Sequence, residues 1–247
     1  MIVIKQSKAV WTEGVADTEQ LKRDLYSLLT EKGAALMGVA DLSGVLDGEM
    51  KTGVSVAVPI PQDIVLDLQT FPTKAYYDAY HSLNAKLDDI VLCGTAYLRK
   101  HGYCAFANTT KAVKQDINWC TPLPHKTVAT RAGLGWIGKN CLLVTKKYGS
   151  AVRLSSFITN APLSPDSPID ESQCGDCRVC VEHCPADALT GKLWDVKMKR
   201  EELFHKEACK KMQIERMKQA TGIETDLCGL CFAVCAYTQR YLKREEI

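Results

Sequence analysis

"CGDCRVCVEHCP", residues 174–185, decides how the rest of the chain is read. Cys174, Cys177 and Cys180 each stand three positions apart, Cys184 follows four positions later, and Pro185 closes the run. Three cysteines at that interval let a short loop wrap three corners of one [4Fe-4S] cubane, its amide N–H groups aimed at the sulfurs. The fourth is carried away by the turn and ligates a different cluster, so the pattern demands a second set. Cys209 and the triplet Cys228, Cys231 and Cys235 supply it. Crossing the fourth ligands assigns Cys174, Cys177, Cys180 and Cys235 to one cluster. Cys184, Cys209, Cys228 and Cys231 then hold the other. Zinc also takes CxxC pairs, but it does not call for a third and fourth cysteine at this spacing followed by proline.

Two clusters in one small unit make a conduction path rather than a catalytic centre. The acceptor of the electrons is therefore sought in the first 160 residues. The whole chain has 247 residues, 46% of them apolar and 24% charged, which is ordinary globular composition with room for a real core. A net charge of +2 gives no bulk electrostatic reason to bind nucleic acid or a membrane surface. The amino terminus, "MIVIKQSKAVWTEG", has too short an apolar run for a signal peptide, and no stretch approaches the roughly 18 apolar residues of a membrane span. The reading is a cytoplasmic protein whose twelve cysteines are reduced, and serve as metal ligands sooner than as disulfides.

Upstream, "TEQLKRDLYSLLTEKG" (18–33) puts Leu21, Leu25, Leu28 and Leu29 on one helical face, with Asp17 or Thr18 as cap and Gly33 as stop. Buried strands are expected at 34–40 and 53–60, and a long helix from Thr73 to Lys100. A strand follows at 103–108, then a short helix near 125–133 and strands at 141–145 and 151–158. Strands alternating with helices predict an α/β (α+β) sandwich around a central sheet. "NAPLSPDSPIDES" (160–172) reads as a linker. Two domains are expected: 1–160, carrying the electron acceptor, and 165–247, a ferredoxin-like unit with two [4Fe-4S] clusters.

"RAGLGWIGKN" (131–140) mimics two nucleotide motifs. Gly133, Gly135 and Gly138 satisfy the dinucleotide fingerprint, but that motif must follow a strand, open a helix and meet an acid about 20 positions on. Here it follows a helical segment and runs into the strand "CLLVT". The same glycines with Lys139 imitate a phosphate-binding loop, yet Asn140 stands where Ser or Thr would hold magnesium. What remains is a backbone that can approach a flat, large ligand closely, beside Trp136, Lys139 and Asn140.

The stretch "HKTVATRAGLGWIGKNCLLVTKKYGSAVRLSSFITNAPL" (125–163), followed by CxxCxxCxxxCP and CxxCxxxC, resembles the epoxyqueuosine reductase family, which shares its modules with reductive dehalogenases. The resemblance extends more weakly upstream and covers most of the chain. It implies a base-off cobalamin over the sheet, reached by electrons through two [4Fe-4S] clusters, for reduction of a small molecule or modified nucleoside. It also implies that Arg131, Gly133, Gly135, Trp136, Gly138, Lys139 and Asn140 belong to the corrin-binding shell. Two departures argue against tRNA as the substrate. Trp119 stands where queuosine-forming members carry an aspartate, with Asp116 out of register, and the chain stops at Ile247 without their carboxy-terminal helical-repeat segment. The alternative is an electron-transfer protein without its own substrate.

Other residues carry weaker signals. Cys120 and His125 flank the Pro122 and Pro124 turn and could serve as acid or axial ligand, against the plainer readings of a buried thiol and a surface imidazole. Cys93, Cys104 and Cys141 read as core packing, as do the "YYDAY" aromatics (76–80). The basic run 197–218 reads as a solvated helix face, or as a dock for an acidic electron donor such as ferredoxin or flavodoxin.

Overall fold

The computed structural model describes residues 15–243, with side chains from Thr18 onward; the amino-terminal stretch read for a signal peptide lies outside them. Helix α1 (Val15–Glu31) starts before the expected cap, so Asp17 and Thr18 fall inside its first turn. Its buried stripe is Leu21, Leu25 and Leu29, the spacing a 3.6-residue period requires. Gly33, at φ +91°, takes the left-handed conformation that ends it.

Strands β1 (Leu36–Asp41) and β2 (Thr52–Pro59) come next, then a short α2 (Gln62–Asp67) that the sequence pattern did not reveal. The long α3 (Lys74–Lys100) is capped by Thr73, whose hydroxyl oxygen accepts from the Tyr76 N–H at 3.1 Å. After β3 (Ala105–Ala107) come α4 (His125–Arg131), the hairpin β4 (Trp136–Ile137) and β5 (Leu143–Val144), and β6 (Val152–Thr159). The cysteine-rich end adds α5 (Val179–Glu182), α6 (Lys206–Thr221), α7 (Leu230–Ala233) and α8 (Ala236–Leu242).

The main sheet runs β1-β2-β6-β3 with every neighbour antiparallel, which makes the fold α+β rather than a parallel crossover sheet. Alternation along β2 sends Val54, Val56 and Val58 to one face, where they meet α1, α3 and the fully buried Phe157. Burial of that ring is worth about 2–3 kcal/mol. The other face is kept small so that α4 can lie close: a Cβ on Gly53 would stand 2.9 Å from Val128 Cγ1.

A second core joins residues on both sides of the expected boundary at 160–165. Ile60, Val65, Leu68 and Tyr76 pack with Met217, Leu227, Phe232 and Tyr241. Tyr76 meets Phe232 edge-on, with ring centroids 5.7 Å apart. The cysteine-rich end is thus set against α2 and α3, and this docking positions the site. Among the described residues no helix is long and apolar enough to cross a membrane.

Candidate redox site

The eight cysteines of the carboxy-terminal part sit at helix ends and turns. Cys180 is in α5 and Cys184 in the turn after it; Cys209 is in α6, Cys231 in α7, and Cys235 caps α8. Electrostatics sorts them. Burial pushes the Cys180 thiol up to about 12, and the thiols that add to the effect are Cys235, Cys174 and Cys177. Cys209 is pushed up to about 11 by burial, then by Cys184, Cys228 and Cys141. Cys231 is raised well above the usual thiol range by burial, and then by Cys228, Cys209, Cys180 and Cys184. Cys180 thus has Cys235, Cys174 and Cys177 about it, while Cys209 and Cys231 share Cys184 and Cys228, with Cys141 beside Cys209 and Cys180 beside Cys231.

Cys180 is buried and Cys177 exposed, with the other six part-buried; cysteines gathered this closely repel as thiolates, and a cationic core makes the gathering favourable. A tetrahedral zinc would draw its four sulfurs to within about 4 Å of one another. No group of three or more His, Cys, Asp or Glu among the described residues is gathered closely enough to hold a single ion. A cubane spreads its ligands over four corners and does not require them to meet at one point.

Donors aim at the sulfurs. Trp136 Nε1–H donates to Cys174 Sγ at 3.4 Å, the Ala188 N–H to Cys184 Sγ at 3.4 Å, and Gln213 Nε2 to Cys209 Sγ at 3.3 Å. Lys139 is only 5% exposed, and its ammonium donates to the Gly175 carbonyl at 2.7 Å within the Cys174–Cys177 loop, with no carboxylate in salt-bridge range among the described residues. A buried cation without an anion is costly; an anionic cluster in that loop would supply the partner.

Beside the second group lies a cavity of about 1060 Å³. Cys184, Cys209, Cys228 and Cys231 form part of its wall, and none of Cys174, Cys177, Cys180 and Cys235 does. The opposite walls come from Ile60 and Tyr76, from Trp119 to Thr121, from His125 to Arg131 along α4, and from Asn140 to Leu143.

The seven residues of the glycine turn divide. Arg131 and Asn140 line the cavity, the first donating through Nε to the Asp41 carbonyl at 2.7 Å, the second through Nδ2 to Ser150 Oγ at 2.9 Å. Trp136 and Lys139 serve the Cys174 loop instead. Gly133, Gly135 and Gly138 are not among the residues that line the cavity. Gly133 has φ +70°, and a Cβ there would meet the Ser167 carbonyl at 2.7 Å; one on Gly135 would meet the Val144 carbonyl at 2.1 Å. At these two the demand is backbone on backbone, whereas a Cβ on Gly138 would meet the side chains of Val144 at 2.6 Å and Asn140 at 2.7 Å.

The loop 116–121 borders the cavity through Trp119, Cys120 and Thr121. Asp116 does not face the cavity; its Oδ1 accepts from the N–H groups of Asn118 and Cys120, both at 2.8 Å. Trp119, held at φ +56°, does line it. Arg200 donates to the Trp119 and Asn118 carbonyls at 3.0 and 2.8 Å, and Lys210 lies 4.2 Å above the indole. Part of the basic run therefore fastens this loop rather than facing solvent. His125 also lines the cavity, half-buried rather than on the surface; its pKa is lowered to about 4 by burial and then by the Arg153 charge. Cys120 and Cys104 are both exposed, against the buried positions expected of them. For Cys104 the cause is the short β3, which turns only Ala105 and Ala107 inward. Sequence reasoning missed Arg153, Lys126 and Trp194 as cavity residues: the first two lie within the stretch 125–163 but outside its glycine turn, and Trp194 is an isolated side chain.

Comparison with known proteins agrees with this geometry. Residues 173–238 match the family described as a 4Fe-4S double cluster binding domain. Epoxyqueuosine reductase of Bacillus anthracis is 51% identical over 67 residues, 27% of this chain and 17% of that protein. The enzyme of Lactococcus garvieae is 31% identical over 163 residues, 66% of this chain and 42% of that protein. The chain thus spans less than half the length of these curated relatives. Among solved structures, epoxyqueuosine reductase with an epoxyqueuosine-modified tRNA-Tyr stem loop superimposes with TM-score 0.59 at 24% identity, covering 90% of this chain and 66% of that one. A reductive dehalogenase described in terms of B12-dependent dehalogenation gives TM-score 0.65 at 19% identity, covering 89% and 33%. The chain is similar to the epoxyqueuosine reductases over part of their length, shares a fold with reductive dehalogenases, and carries a 4Fe-4S double cluster binding domain at 173–238.

Proposed function

We propose that the chain is an iron–sulfur reductase that holds two [4Fe-4S] clusters and a cobalamin. Cys174, Cys177, Cys180 and Cys235 hold the first cluster; Cys184, Cys209, Cys228 and Cys231 hold the second. The unit 165–247 carries both, and the unit 1–160 contributes most of the facing cavity wall. The observation that carries the reading is that only the second cysteine group lines the cavity. That group therefore stands between the first group and whatever the cavity holds.

The cavity is at the upper end of ordinary ligand sites, room enough for a macrocycle. Its wall is mixed, with Leu142 and Leu143 beside the amide of Asn140 and the guanidinium of Arg131, which suits a flat body edged with amides. Bound there, cobalamin would supply a strongly reducing cobalt centre. This chain's own residues do the rest. Trp136, Lys139, Ala188 and Gln213 set the charge and hydrogen bonding around the sulfurs. Trp119, under Arg200 and Lys210, lines the cavity and limits water. The relative bound to a modified tRNA stem loop makes a modified nucleoside one substrate class, and a small molecule is the other. The exposed remainder of α6, including Lys211 and Lys218, is a fitting dock for an acidic donor such as ferredoxin or flavodoxin.

The test is anaerobic reconstitution with iron counting, followed by titration with cob(II)alamin under EPR. About eight irons are expected per chain, with a one-to-one base-off cobalt spectrum. Cys235→Ser and Cys209→Ser should each fall to about four irons, and only Cys209→Ser should alter the cobalt spectrum. Eight irons with an unchanged cobalt spectrum would remove the corrinoid and leave an electron carrier without its own substrate.

A further inference from the structure

A second, smaller cavity of about 250 Å³ adjoins the main one and shares Tyr80, Gln115, His125, Arg153 and Leu154 with it. It exists because β3 is short. β6 pairs with β3 only through residues 157–159, so its residues 152–155 have β2 as their one strand neighbour. The edge left open is bordered by α3 and by the segment after β3.

Arg153 lies in that opening. Its guanidinium stacks 4.1 Å above the Tyr80 ring, and Nε and one Nη both donate to Asn84 Oδ1, at 3.1 and 2.9 Å. These neutral contacts fix the plane of the fork and leave the outer Nη edge turned to the cavity. No carboxylate lies in salt-bridge range of it among the described residues. Asp88 lines the same cavity, but Thr110 occupies it through its N–H at 2.9 Å and its hydroxyl at 2.6 Å. A permanently charged fork, held in plane and facing a recess, is preorganised for a two-oxygen anion.

His125 adds a donor. Ser156 Oγ accepts from Asn108 Nδ2 at 3.3 Å and lies 2.9 Å from His125 Nδ1. In the tautomer in which Ser156 gives its hydroxyl hydrogen to Nδ1, the ring proton sits on Nε2 and is the donor offered to a ligand. Burial keeps this imidazole neutral near pH 7, so it brings a donor without a second charge.

We propose that this side cavity is a recognition subsite for the carboxylate of a small organic acid, gripped by Arg153 and His125 while the rest of the molecule reaches into the main cavity. Its volume is below the range for drug-sized ligands, which suits a head group rather than a whole substrate. One free cation beside the Asp88 carboxylate favours a monoanion over a doubly charged phosphate. The assignment deepens the reductase reading by naming a substrate class, and rests on that reading for the fate of the ligand; the grip itself is independent of cobalt.

The test uses the anaerobically reconstituted full chain, with and without cob(II)alamin, titrated calorimetrically with benzoate and its neutral isostere benzamide. Benzoate should bind at least about tenfold more tightly than benzamide, as expected for hydrogen bonds to a charged group. Arg153→Gln should lose about 10- to 100-fold in benzoate affinity, and Arg153→Lys, which keeps the charge and guards against simple misfolding, should lose less. Cluster absorbance reports that each variant is intact. Equal binding of the two probes, no benzoate binding by the intact protein, or full affinity in Arg153→Gln would each overturn the subsite. Inorganic phosphate displacing benzoate at lower concentration than acetate would overturn the carboxylate assignment. Cobalt binding without benzoate binding would sink the subsite alone, whereas benzoate binding without a cobalt spectrum would sink the corrinoid and spare the subsite.

Discussion

Acid should weaken this protein through His125. In the folded chain its pKa is lowered to about 4, first by burial and then by the Arg153 charge, with Asp88 opposing. In the unfolded chain it titrates near 6.5. Between those values the unfolded state binds the proton and the folded state does not, so stability falls as pH falls through the window and is unaffected by this group well above it. At about 1.4 kcal/mol per unit, the full loss is about 3 kcal/mol, and about 2 kcal/mol of it appears between roughly pH 7 and pH 5. Against a total of about 5–15 kcal/mol that is a readable change. The assay is anaerobic urea unfolding of the reconstituted protein at both pH values, beside His125→Asn, whose amide can still meet the Ser156 hydroxyl but does not titrate. The variant should lose about 2 kcal/mol less than wild type on acidification. An NMR titration placing the imidazole pKa above about 6 would refute the burial argument, as would an identical pH response in His125→Asn.

Two further outcomes follow from single contacts. Trp136→Phe removes the N–H that reaches Cys174 Sγ at 3.4 Å and should make the potential of the first cluster more negative while leaving the second in place; a redox titration followed by EPR reads it, and an unmoved potential would deny the indole that role. Arg200→Ala combined with Lys206→Ala and Lys210→Ala removes the basic side chains that hold the Asn118 and Trp119 carbonyls and cover the indole. Trp119 emission, obtained by difference against Trp119→Phe, should then lose anisotropy and become more accessible to a soluble quencher, and unchanged accessibility would show that the loop holds itself down.

The legible part of this molecule was the part governed by short-range rules. The Cys174–Cys184 interval dictates a loop around a cluster wherever it occurs, and the leucines of α1 and the tyrosines and leucines of α3 keep a period that leaves little choice of face. The antiparallel order β1-β2-β6-β3 was not readable, because strand order depends on which distant segments pair, and alternation of strands with helices fits parallel and antiparallel sheets alike. Arg153 stayed hidden for a related reason. Nothing local marks it, and its meaning comes from a β3 too short to cover it, from Asn84 sixty-nine residues away, and from Tyr80 beneath it.

The glycine turn shows how a motif can be recognised and its physical division still be missed. Along β4, neighbouring side chains must point to opposite faces. Trp136 therefore reaches the first cysteine loop, while Ile137 lines the cavity. β5 pins both through the pairs Trp136 with Val144 and Ile137 with Leu143. The flanking Arg131 and Asn140 come back to the cavity on either side. One ten-residue segment thus touches the first cysteine loop with one face and lines the ligand cavity with the other. A bulky residue at Gly135 would strike the Val144 carbonyl and displace both faces together. The spacing of this turn therefore serves two sites at once, a demand that no list of residues touching the ligand would contain.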